Sequence, residues 1–238
     1  MTRSALPRVA AMACLFTVLV LPSRLAHATE VSVQDGTFAP SDWGVSVFWE
    51  QGLSGIITVE QETSGGNPGE YRSVDVLLSP AKLNDWGRYN RVHAFHNYIP
   101  RVYDPATEGG VYSIDFSEDA RLYAGYLEGQ GGGPAIRQNG VVYQGGSFTI
   151  PGATWFRHSL TDLTEDDWYD PRNPTAHPDF SETGSLIEIG FWSGNSGTSD
   201  DPYHSLAGID NWSFVIRTSA PVPVEPSSWG CVKALYRR

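Results

Sequence analysis

Ile187-Glu188-Ile189-Gly190-Phe191 decides the fold. Large apolar side chains fall on every second residue, with a charge and a glycine between them. Successive side chains of a strand point to opposite faces, so this spacing puts Ile187, Ile189 and Phe191 on one buried face. Toward the C-terminus, Trp212, Phe214 and Ile216 repeat the pattern between Ser213, Val215 and Arg217. Toward the N-terminus, Tyr112, Ile114 and Phe116 repeat it, as do Val92, Ala94, His96 and Tyr98 around Phe95. Gln138-Asn139-Gly140-Val141 sets Asn-Gly between two apolar runs, and both residues tolerate positive φ, which marks a tight hairpin. Helical spacing is confined to Ser79–Trp86, where Pro80 suits a first helical turn. Many short strands separated by Gly- and Pro-rich turns predict an antiparallel sandwich or barrel.

A chain with 40% hydrophobic, 12% aromatic and only 18% charged residues is neither a coiled coil nor a charged disordered polymer. Its formal net charge of −11 repels nucleic acid and anionic lipid head groups, which excludes both as partners. At the start, Arg3 and Arg8 frame the apolar run Val9–Leu21, and Ala26-His27-Ala28 follows. These are the parts of a secretory signal, so residues 1–28 are expected to be removed. The run is too short for a stable membrane span. The expected product is exported, secreted or at the cell surface, with no span in the mature chain. It keeps Cys231 alone and so has no intrachain disulfide. Residues 29–218 are expected to form one domain. Beyond them, residues 219–238 hold the Pro-rich linker Ala220–Pro226 and a short tail.

Val33-Gln34-Asp35-Gly36-Thr37-Phe38, with Trp43 and Gly44, resembles the first strand of galactose-binding-like jelly rolls, the fold of many carbohydrate-binding modules. Gly208-Ile209-Asp210-Asn211-Trp212-Ser213-Phe214 resembles their closing strand. The resemblance implies an all-β, two-sheet jelly-roll β-sandwich in which the opening and closing strands are neighbours. It also implies a structural calcium shared by the two ends, and Asp35 and Asp210 are its candidate ligands. Val222–Trp229 and the terminal Arg237-Arg238 resemble a PEP-CTERM sorting tail of exported bacterial proteins. Val224 interrupts that motif and its apolar helix is missing, which implies release rather than retention.

Three kinds of chemistry remain. Glu60 and Glu62 lie two apart on one strand face, as a glycan hydrolase needs for paired carboxylates, but Gln61 and Thr63 do not complete a Glu-x-Asp-x-Glu pattern. His93 and His96 lie three apart, on opposite strand faces, which does not suit zinc. Loop aromatics are the third kind: Trp86, Tyr89, Trp168 and Tyr169 sit among Gly, Pro, Asn and Asp, as a sugar-stacking surface requires. Trp49, Trp192 and Trp212 are assigned to the core. The reading is a non-catalytic module that binds a neutral glycan or extracellular polysaccharide. A hydrolase using Glu60 or Glu62 and an adhesive surface protein are its alternatives.

Overall fold

The computed structural model describes residues 29–53, 55–84, 87–125, 129–149 and 152–218. The expected signal over residues 1–28, the tail over 219–238 and the candidate Trp86 lie outside the described residues.

The chain runs through β1 (Glu30–Asp35), β2 (Trp43–Gln51), β3 (Gly55–Gly66), β4 (Gly69–Leu78), β5 (Lys82–Asn84) and β6 (Gly87–Tyr103). A short helix α1 (Pro105–Glu108) follows. Then come β7 (Ser113–Ala124), β8 (Gln130–Gln138), β9 (Val141–Gln144), β10 (Phe156–Leu163), β11 (Ile187–Gly197) and β12 (Tyr203–Arg217). Two antiparallel sheets stack face to face. The first has the order β10-β7-β12-β4-β3, with β1 also paired to β12; the second has β2-β6-β11-β8-β9, with β5 paired to β6. The chain crosses repeatedly between sheets, as in a jelly roll. The fold expected from the sequence is the one observed.

The period-two residues meet between the sheets. Ile187, Ile189, Phe191, Trp212, Phe214, Ile216, Ile114 and Val92 are all buried there. Asn139 and Gly140 have φ of 53° and 78°, so the Asn-Gly hairpin joins β8 and β9 in the form the sequence predicts. Opening and closing strands are neighbours, since Asp35 lies opposite Trp212 and Glu30 opposite Arg217. Over its described residues, 79–84, the expected Ser79–Trp86 helix is not formed. Lys82–Asn84 pair with Gly87–Tyr89 as a hairpin on β6 instead, because an adjacent strand offers the backbone partners that so short a helix lacks. Tyr112 also departs from expectation: it precedes β7 and is exposed.

Trp168 corrects a functional expectation. It sits within the long acidic loop, yet its ring is fully buried and packs near Phe180 and Phe214. It lies against Gly145, where an added Cβ would come 2.8 Å from the indole. A ring with no exposed face cannot stack on a sugar; it pins the loop to the core. Trp168→Ala is expected to cost about 3–5 kcal/mol of stability. Chemical denaturation would show this as a large fall in midpoint, and an unchanged midpoint would remove Trp168 from the core.

Candidate functional site

The second sheet is packed on both of its faces. Toward the core, β11 presents Ile189 and Phe191; toward the outside, Trp192 joins Phe95, Ala135, Val142 and Phe48 in a separate apolar cluster. Glycines make room for the outer rings. A Cβ on Gly131 or Gly133 would come 3.0 or 3.1 Å from the Trp192 indole, and one on Gly194 would run into the His93 ring. The rings therefore lie over backbone rather than standing on side chains. His93 stacks on Trp192 at 4.8 Å and 16°, and Trp49 meets His93 edge-on at 5.0 Å.

Trp49 reaches this face through a bulge. Unbroken alternation from buried Trp43 would turn Trp49 inward. Between Val47 and Trp49 the register with β6 shifts by one residue, which sets Trp49 opposite outward-facing His93. Arg91 then lies over the Trp49 ring, with its guanidinium carbon 3.6 Å from the centroid, and its Nε donates to the Tyr89 hydroxyl at 2.7 Å.

The loop after β10 supplies one wall. Tyr169 pairs with Gln144 through backbone hydrogen bonds in both directions, at 2.9 and 3.1 Å. With Trp168 pinned below it, the next side chains along the loop reach the outer face. The result is an open groove of about 660 Å³, lined among others by Trp49, Arg91, His93, Gln144, Tyr169, Pro171 and Trp192. A neighbouring hollow of about 620 Å³ shares Trp49, Arg91 and Pro171 and adds Tyr89. Of the expected ligand residues, Tyr89 and Tyr169 thus line this surface and Trp168 does not. Trp49 and Trp192, assigned to the core from sequence, line it as well.

Burial, and the positive charge of Arg91 after it, push the His93 pKa down to about 3. The ring is therefore neutral at ordinary pH. Gln144 Nε2 lies 3.2 Å from His93 Nδ1, and an amide nitrogen only donates, so Nδ1 accepts and the ring proton sits on Nε2.

Asp35 and Asp210 come to the same end of the sandwich; a Cβ on Gly36 would lie 3.5 Å from Asp210 Oδ1. Asp35 accepts from Thr37 N and Oγ1 through Oδ1, and from Phe38 N and Trp43 Nε1 through Oδ2. Asp210 accepts from the backbone of Asn67 and Asn211, and burial raises its pKa. Among the described residues no three His, Cys, Asp or Glu side chains gather as a metal-holding group. Glu60 and Glu62 lie on β3, opposite Ser73 and Tyr71 in the first sheet, and neither lines the groove.

No family model matches the chain, and no curated protein matches it. Its structural neighbours include carbohydrate-binding modules. The xylan-binding domain from CBM 22 shares 10% identity over 79% of this chain and 96% of that one, with a TM-score of 0.40. A carbohydrate-binding module specific for non-crystalline cellulose, CBM28, shares 14% over 75% and 88%, with a TM-score of 0.35. A protein of unknown function from Shewanella oneidensis MR-1 shares 13% over 84% and 92%, with a TM-score of 0.39. At this level of likeness neither ligand nor site transfers to this chain. Among the described residues no helix is long and apolar enough to cross a membrane.

Burial holds the folded-state pKa of His93 below its usual 6.5, so between about pH 3 and 6.5 the unfolded chain binds more protons than the folded one. The stability that follows is complete above pH 6.5 and declines as the pH falls through that window. His96, buried beside Arg72, is shifted in the same direction and adds to the decline. His93→Phe keeps a ring on Trp192 but removes one titration. Denaturation curves from pH 7 to 4.5 should therefore show a shallower loss of stability in the variant, and an identical slope would rule out a neutral His93.

Proposed function

We propose that this protein is an exported, non-catalytic glycan-binding module whose site is the groove on the outer face of the second sheet. The observation that carries the reading is the build of that groove. Trp49 and Tyr169 supply flat apolar surface above a floor of His93 stacked on the buried Trp192, and Gln144, His93 and Arg91 supply hydrogen-bonding groups beside it. A sugar ring has apolar C–H faces and a rim of hydroxyls, so it needs both kinds of contact at once. The groove is open rather than enclosed, which suits a segment of a chain. The described residues lining its main part include no Asp or Glu, whereas glycoside hydrolysis ordinarily uses two carboxyl groups flanking the bond. That supports binding over cleavage. Export rests on the N-terminal pattern and remains part of the proposal.

Trp49→Ala and Tyr169→Ala should each weaken binding to a plant or algal polysaccharide by roughly tenfold, the loss of a stacking contact worth about 1 kcal/mol plus its area. Both residues are only partly buried, so melting temperatures should stay close to the parent's. Affinity electrophoresis across a panel of soluble polysaccharides checks this. Retention of every ligand by both variants would move the site elsewhere.

A further inference from the structure

The groove stands out electrically from the rest of the chain. The protein has a formal charge of −11, yet the described residues lining the main groove include no Asp or Glu, and Arg91 is the one charged side chain among them, His93 being neutral; the adjoining hollow that Arg91 also lines adds Glu50 and Arg172. Arg101, Arg137, Arg157, Arg172 and Arg217 each meet a carboxylate of this chain. Arg91 does not: among the described residues its side chain contacts the Trp49 and Tyr89 rings and donates to the Tyr89 hydroxyl. Held on a ring by a donated hydrogen bond, the guanidinium is fixed in place before any ligand arrives. Nε and Nη2 both donate to the Tyr89 hydroxyl, so the Nη1/Nη2 end of the fork is the part that can meet a planar carboxylate, and such charge-assisted pairs are about twice as strong as neutral hydrogen bonds.

We infer that the groove selects glycans carrying a carboxylate, with a uronic acid residue docked on Arg91 and a neighbouring ring lying along Trp49 and Tyr169. This rests on the groove being the glycan site. It revises the neutral ligand expected from net charge, because that sum covers the whole surface. At physiological ionic strength the Debye length is about 8 Å, so distant carboxylates are largely screened while the contact at Arg91 is not. Hydroxyl groups alone would offer Arg91 no opposite charge.

The test uses paired polymers: homogalacturonan, alginate and glucuronoxylan, each with free carboxylates or as the methyl ester, and unsubstituted xylan as a neutral chain. Calorimetric titration at fixed ionic strength should give at least about tenfold tighter binding to a free acid than to its ester. Arg91→Gln should reduce that ratio to near one, and Arg91→Lys, which keeps the charge but loses the fork, should leave it in between. Unchanged melting temperatures separate these effects from misfolding. Equal affinity for acid and ester, still abolished by Trp49→Ala, would overturn the carboxylate while leaving a glycan groove. Binding that ignores both Trp49→Ala and Arg91→Gln, or no binding to any polymer, would overturn the inference together with the site it rests on.

Discussion

A β-strand has two faces, and in β11 both are filled. Phe191 and Ile189 point into the sandwich; Trp192, one residue away, points out and lies across glycines of β8. This double use depends on the close approach of indole to backbone. With side chains at Gly131 or Gly194, Trp192 and His93 would be lifted off the sheet, and the floor of the groove would break up. The glycines Gly131–Gly133 thus make room for large rings on the adjacent strand.

The inner face carries a second consequence of burial. His96, on the opposite face of β6 from His93, is fully buried and stacks on Phe191 at 4.4 Å. Arg72 Nε donates to its Nδ1 at 3.2 Å, so its Nε2–H donates to Ser193 Oγ at 2.7 Å. This chain crosses from β4 to β6 to β11 and joins the two sheets by hydrogen bonds. Burial of Arg72 lowers its pKa to about 10, which still leaves it charged at neutral pH, and that charge together with desolvation keeps His96 neutral. Directional contacts of this kind favour one alignment of the sheets over slipped alternatives, although Arg72 Nη2 is buried without a hydrogen-bond partner.

The sandwich was legible because its inward residues repeat with period two over several strands, and because Asn139-Gly140 has few other uses than a tight turn. The groove was legible only in part. Trp192 reads as core because period and hydrophobicity report burial without saying on which side of a sheet it occurs. Phe95 held a usable signal, an aromatic residue in the opposite phase to Val92 and His96, and Gly131–Gly133 held another. Trp49 was hidden more deeply, since a single bulged residue inverted its phase and nothing in Val47-Phe48-Trp49 announces the bulge. Trp168 failed the other way: polar neighbours in sequence suggested a surface ring, but the loop folds back and Gly145 leaves room for the indole. Ser79–Trp86 carried the local marks of a helix start, and strand pairing with β6 overrode them.

Trp168 and Tyr169 divide two duties across one peptide bond. The first fastens the loop, and the second faces whatever enters the groove. The groove-facing side chains Tyr169 and Pro171 can therefore vary without disturbing the sandwich, much as the jaws of a clamp can be exchanged while its bolt stays in place. Loop-swapped libraries that retain Trp168, Gly145 and the Asp170–Arg172 pair and randomise Tyr169 and Pro171 would test whether the groove can be reshaped on the same frame. The same division would let a chain change its groove-facing residues while keeping the fold, provided that the buried indole and the glycine beneath it persist together.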